Sequence, residues 1–217
     1  MKKSITGAIP NRTPPIIITG CGRSGTLYIT KFWKVFGLSI GHEKYKKDGI
    51  ASWYLPIENR LNQIKAEIGL PNALIFHQVR HPLKVISSMF PRQWTEPIVA
   101  EMSDVRKPNK ESKLLQTMKY WYWWNIAIEI TFPIALRYRI EDIQKRELIE
   151  RLTRMVGVNR KGKIAEIKKI STKTHTSYGQ THTSKGYKHI FTWDELEKED
   201  SDMCWMIWQK AKNYGYY

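Results

Sequence analysis

Cysteine is scarce in this chain. Cys21 and Cys204 are the only two in 217 residues, and they lie far apart. That excludes a disulfide framework and any zinc site built on paired cysteines. Long apolar runs are missing as well. No stretch reaches the roughly 18 uncharged apolar residues of a membrane span. The opening segment, MKKSITGAIPNRTPP, has two lysines but no apolar centre, so it does not read as a signal peptide. Residues 1–13 are expected to form a flexible arm, and the expected location is the cytoplasm. Acidic residues are few: 20, against 36 lysines and arginines, for a net charge of +16. Such an excess suits an anionic partner: nucleic acid, acidic glycan, a membrane surface or a polyanionic cofactor. No helix-turn-helix, RNA-recognition or zinc pattern accompanies it, so nucleic acid is not the expected partner. A hydrophobic content of 41% and an aromatic content of 12% exclude disorder. The length predicts a single domain over 1–217 with a core that needs no disulfides.

What is present is concentrated in Pro14 to Phe36, PPIIITGCGRSGTLYITKFWKVF. Ile16 to Thr19 is a β-branched run, which predicts a buried strand. Gly20 to Gly25 holds three glycines in six residues. From Thr26, the apolar residues Leu27, Ile29, Phe32, Trp33 and Phe36 follow helical spacing. Strand, glycine loop and helix together present backbone N–H groups and a helix N-terminus to an anion. Gly20 and Gly25 have the spacing of the nucleotide-binding G-x-x-x-x-G-K-[ST] loop, but Thr26 stands where its lysine belongs. The cation lies inside the loop, as Arg23. Cys21, in the same loop, reads as a small residue for a tight turn rather than a nucleophile.

Further along, a short strand is expected at Leu38–Ile40, followed by a polar loop through KYKKDGIASWYLP and a helix over 57–69. Ala73–Val79 is predicted to be a strand. It runs into Arg80-His81-Pro82 and a helix, PLKVISSMF, with Pro82 in the first turn. This puts Arg80 at the carboxyl end of a strand, on the glycine-loop edge. His77, inside the apolar strand, reads as a core histidine. Residues 91–110, irregular and polar, read as a lid or a substrate loop. A long helix is expected from Glu111 to Ile130, its aromatic cluster at 120–124 mostly core, with one or two rings and Trp53 available to line an acceptor pocket. A strand at Ala135–Ile140, a helix of about 15 residues to Val156, and a helix from Trp193 to Tyr217 complete the chain. Between them lie a basic stretch at 154–173 and a T-H-T-S near-repeat at 174–184. The predicted fold class is α/β: a three-layer sandwich with a mostly parallel central sheet.

G-C-G-R-S-G-T-L-Y after the first strand, V-R-H-P-x-x-x-x-S-S after a middle one, and R-Y-R-I-E-D-I later resemble the sulfotransferases that use 3′-phosphoadenosine-5′-phosphosulfate (PAPS). The resemblance spans about residues 14–143. It implies a P-loop-like phosphosulfate-binding loop and transfer of a sulfuryl group to a hydroxyl, leaving 3′-phosphoadenosine-5′-phosphate (PAP), with no metal required. It implies that Gly22, Arg23, Ser24, Gly25, Thr26 and Leu27 hold the 5′-phosphosulfate, with Arg23 the catalytic cation. Tyr28 would stack on adenine. Arg80 and Ser88 would bind the 3′-phosphate, with Ser87 the alternative in a slipped register, and Lys185-Gly186 would form a second clamp. Glu43 is the first choice of catalytic base and His42 the second. The acceptor would be a carbohydrate, a small alcohol or phenol, or a tyrosine. Two other readings compete: a P-loop kinase of nucleosides or small metabolites, and a basic nucleic-acid-binding protein.

Overall fold

The β-branched run at the head of the chain becomes the centre of a parallel sheet. In this computed structural model the described residues are 14–57, 62, 73–91, 111–159, 161–170 and 189–217. Strand β1 (Ile16–Thr19) is buried at all four positions. Its neighbours are β3 (Gly49–Ser52) and β4 (Leu74–Val79), with β2 (Ile40–His42) and β5 (Leu136–Arg139) at the edges. The order is β2-β3-β1-β4-β5, and every pairing is parallel. Thr19 is in register with Ser52 on one side and His77 on the other. All five strands therefore end along one edge, where α/β proteins bind ligands.

The two faces of the sheet are apolar on alternate residues. Ile17, Ile50, Ile75 and Val79 pack with α2 (Pro82–Met89), α3 (Lys113–Thr131), α6 (Trp193–Glu199) and α7 (Ser201–Asn213), through Val85, Trp121, Trp124, Leu196 and Ile207. Ile16, Ile18, Ala51 and Phe76 pack with α1 (Thr26–Val35), α4 (Arg146–Val156) and α5 (Ile164–Lys168), through Phe32, Trp33, Leu152 and Ile167. Each fully buried isoleucine of β1 contributes about 2 kcal/mol. The result is the expected three-layer α/β architecture. Its sheet is wholly parallel, and seven α-helices stand among the described residues.

Several boundaries differ from the sequence reading. The supposed polar loop after Glu43 contains β3. This strand is fully buried between β1 and β2, so it lacks the polar–apolar alternation of a half-exposed strand. Gly49 lets it close on β1, since a Cβ there would collide with the backbone of Ile16. Strand β2 starts at Ile40 and runs to His42, two residues later than expected, so Glu43 directly follows it. The helix after β5 is the 11-residue α4, preceded by a 3-10 turn at Ile140–Asp142. The C-terminal helix is two helices. Asp200 is extended between them, and its carboxylate accepts the Met203 N–H to cap α7. Thr192 and Glu195 form a capping box at the start of α6. The arm at 1–13, nearly all of the 57–69 helix, the 91–110 segment beyond Pro91 and the near-repeat at 174–184 lie outside the described residues.

Candidate anion site

The glycine loop is fixed by groups reaching it from three elements. A Cβ at Gly20 would overlap the Gln78 carbonyl oxygen and sit 2.5 Å from Ser24 Oγ. Gly22 donates its N–H to the Tyr120 hydroxyl of α3 at 3.0 Å. The Ser24 N–H closes a turn onto the Cys21 carbonyl at 2.9 Å. From β4, Gln78 Nε2 donates to the Ser24 carbonyl at 2.8 Å, and Gln78 Oε1 accepts from the Tyr138 hydroxyl of β5 at 2.6 Å. Arg23 and Gly25 take left-handed φ values of 69° and 98°. Gly25 is the N-cap of α1 and has no side chain to satisfy the first turn. The N–H groups of Thr26, Leu27 and Tyr28 therefore point out of the helix end, toward which its dipole draws negative charge. Ser24 Oγ is buried beside them without a hydrogen-bond partner among the described residues.

Two arginines meet at this loop. Arg23 Nε donates to Ser88 Oγ of α2 at 2.9 Å, and Arg80 Nη1 donates to the Arg23 carbonyl at 2.7 Å. Ser88, not Ser87, is the serine at the loop. Ser87 is turned inward, donating to the Leu83 carbonyl at 2.6 Å and accepting the Phe191 N–H at 2.8 Å. Burial lowers the pKa of Arg80, with Glu141 and Tyr216 opposing. A cavity of about 230 Å³ opens beside the loop, lined by Ser24, Gly25, Tyr28, Arg80, Lys84 and Gln144 among others. The Tyr28 ring is buried at its wall, and its hydroxyl accepts from Gln144 at 3.3 Å.

The β2 side of the helix end carries the other candidates. Thr26 Oγ1 lies 3.1 Å from His42 Nε2, and the same nitrogen is 3.3 Å from Glu43 Oε1. Ser52 Oγ donates to Glu43 Oε2. Burial holds His42 below its ordinary pKa, so its contact with Glu43 is that of a neutral imidazole at neutral pH. The structure thus brings Arg23, Arg80 and Ser88 together at the β4 side of the helix end. His42 and Glu43 stand at its β2 side, with Thr26 touching the latter group. Lys185 and Gly186 lie outside the described residues.

Cys21 is almost fully buried, and burial pushes its thiol pKa up, which leaves it a turn residue rather than a nucleophile. His77 is a core histidine, 3.1 Å from Asn125 Oδ1, and burial holds it down at about 4. His81 donates its N–H to Glu141 Oε1 at 3.1 Å and packs between the Tyr216 and Tyr217 rings. Ser52, Gln78 and Tyr138 shape the site without having been singled out in the sequence, and Tyr120 is the ring of the 120–124 cluster that reaches the loop. Gln78 alone carried a signal, as an amide in the middle of an apolar strand. Among the described residues there is no group of three or more His, Cys, Asp or Glu side chains placed to hold a metal ion. Among them, too, no helix is long and apolar enough to cross a membrane.

Fold and site together define an α/β protein whose glycine loop opens a helix toward an anion at the carboxyl edge of a parallel sheet. No protein-family model matches the chain, and no curated protein sequence does. Among solved structures it is similar to mouse sulfotransferase SULT7A1 complexed with PAP, at 15% identity and a TM-score of 0.48. That match covers 74% of this chain but only 65% of the mouse chain. It is also similar to the sulfotransferase domain from the curacin biosynthetic pathway, at 13% identity and a TM-score of 0.46, covering 72% of this chain and 78% of that one. Likenesses this distant do not assign an activity.

Proposed function

We propose that the protein is a PAPS-dependent sulfotransferase that moves a sulfuryl group to a hydroxyl of a carbohydrate, a small alcohol or phenol, or a tyrosine. The observation that carries this reading is the meeting of the glycine loop with the Arg80…Ser88 element, through the Arg23–Ser88 and Arg80–Arg23 bonds of 2.9 and 2.7 Å. Two guanidinium groups and a helix N-terminus converge on one edge of the sheet. That suits a ligand with anionic groups at two points better than a single phosphate. The buried Ser24 hydroxyl, without a hydrogen-bond partner among the described residues, and the cavity walled by Tyr28 fit such a ligand.

PAPS would supply the sulfuryl group, which transfers in line through a loose transition state, as phosphoryl groups do. The Gly22 N–H is committed to the Tyr120 hydroxyl and the Ser24 N–H to the Cys21 carbonyl, so Gly25, Thr26, Leu27 and Tyr28 supply the backbone donors. Gly22 serves close approach, and Ser24 adds its hydroxyl. Arg23 balances charge on the leaving side, and Arg80 with Ser88 holds the 3′-phosphate. Glu43 takes the acceptor's proton, with His42 the second candidate. For the kinase reading, Thr26 replaces the loop lysine, while Glu141 and Asp142 pair with Lys84, Arg139 and Lys145.

Calorimetric titration with PAP and with ATP, in wild type and Arg80→Ala, tests the proposal. PAP binds wild type without metal and more tightly than ATP. The variant loses roughly 10- to 150-fold in PAP affinity, as expected for a charge-assisted bond of about 1.5–3 kcal/mol. Tighter binding of ATP in the presence of magnesium would replace the proposal with the kinase. Binding of neither would leave the basic nucleic-acid-binding protein.

A further inference from the structure

The geometry points to Ser52 as the residue that positions Glu43, an inference that rests on Glu43 acting as the base. Ser52 closes β3, is fully buried, and stands in register with Thr19 immediately before the glycine loop. Its Oγ donates to Glu43 Oε2 at 2.5 Å. The backbone of Glu43 is held at the same place, because its N–H donates to the Ala51 carbonyl at 3.0 Å. Glu43 also adopts a left-handed φ of 59°, a conformation that persists in a non-glycine residue only where its surroundings impose it. Its other carboxylate oxygen faces His42 Nε2, which in turn faces Thr26 Oγ1 at the start of α1. The carboxylate is therefore gripped at both ends. Ser52 fixes Oε2 from the neighbouring strand, which leaves Oε1 on the side of the helix end. Tyr54, whose hydroxyl donates to the Glu43 carbonyl at 3.4 Å, holds the main chain rather than the carboxylate.

A glutamate has three side-chain torsions, and a base must stand within hydrogen-bond reach of the proton it removes. Without Ser52, Glu43 loses the hydrogen bond that fixes Oε2, and misplacement by an ångström costs catalysis on the order of 100-fold. Ser52 itself touches no reacting atom. Its effect passes through Glu43, and this separates it from a residue that merely stabilises β3.

The test is a double-mutant cycle read by conversion of PAPS to PAP, with 4-nitrophenol, a tyrosine peptide and chondroitin offered as acceptors. Ser52→Ala lowers kcat roughly 10- to 100-fold and leaves the PAPS KM and the PAP Kd within about twofold. Ser52→Thr, which keeps the hydroxyl, restores most of kcat. In a Glu43→Gln background Ser52→Ala has no further effect. An equal loss in that background, or a fall in PAP affinity, would make Ser52 a structural residue and overturn the assignment. A second readout is independent of turnover. In protein carrying 13C-labelled glutamate, the Glu43 carboxylate resonance, identified by its absence in Glu43→Gln, shifts or broadens in Ser52→Ala but not in Ser52→Thr. An unchanged resonance in Ser52→Ala also overturns it. Absence of PAP binding and turnover in wild type would instead sink the proposed function, leaving the carboxylate resonance to judge Ser52 alone.

Discussion

Replacing Gln78 by leucine tests whether the glycine loop is held by a buried polar relay. Gln78 is fully buried in β4 and bridges the Tyr138 hydroxyl to the Ser24 carbonyl. Leucine has nearly the same volume, so no large cavity forms. Both partners lose their bond inside the protein, however. Each orphaned buried group costs about 1–3 kcal/mol, and the added apolar surface offsets about 1 kcal/mol. The expected net loss is about 3 kcal/mol, read as a lower urea midpoint at unchanged slope. Tyr138→Phe should cost less by itself. In the double variant the phenol is no longer there to be orphaned, so the two losses add to less than their sum by about 1–2 kcal/mol. The Ser24 carbonyl also sets the plane of the peptide leading into Gly25, so PAP affinity falls about tenfold with Gln78→Leu. If Gln78→Leu stays within about 0.5 kcal/mol of wild type and binds PAP normally, the relay holds nothing, and the loop is shaped by its own turn alone.

Two further predictions concern the same half of the molecule. Burial holds His77 at about 4 in the folded state against 6.5 unfolded, so as pH falls the unfolded chain takes up the proton first. Stability is full above about 6.5, declines between there and about 4 by roughly 3 kcal/mol, and is flat below for this group; urea titrations at pH 7 and 4.5 should show His77→Gln losing much less than wild type, and equal losses would exclude His77 as the cause. In Gly22→Ala the new methyl would stand 2.6 Å from the Tyr120 hydroxyl, so thermal unfolding should report a loss of about 1–3 kcal/mol; adding Tyr120→Phe recovers part of it, and strictly additive losses would refute the clash.

The elements legible in the sequence were those with a local cause. Ile16 to Thr19 reads as a buried strand because three isoleucines leave little alternative, and the glycines after it mark a turn that backbone must approach closely. The helix over Lys113–Thr131 is long enough to show itself, although its aromatic residues surround more than one face. Strand β3 was not legible because its reasons are tertiary. Gly-Ile-Ala-Ser has neither alternation nor strong β-propensity, and it becomes a strand only when β1 and β2 supply partners on both edges. The single helix expected after Thr192 broke at Asp200 because that side chain caps the next helix instead of continuing the first. In the candidate site, Arg23, Arg80 and Ser88, which the resemblance singles out, are brought together by the fold. Ser52 carries no such signal, since it meets Glu43 across the fold from a segment whose own pattern says only that it is buried.

The parallel topology explains why residues so far apart in the chain share one edge. Each strand of a parallel sheet delivers the residues that follow it to the same side. Here β1 delivers the glycine loop, β2 delivers Glu43, and β4 delivers Arg80. Their lateral order is then fixed by the sheet rather than by the chain. Because β3 stands between β2 and β1, Glu43 comes to the helix end from the side opposite Arg80. Glu43 meets Ser52, His42 and Tyr54 on the β2 side of the helix end. Inserting β3 between β2 and β1 thus does more than complete the sheet: it sets the Glu43 and Arg80 sides of the helix end apart and places the Ser52 hydroxyl against Glu43.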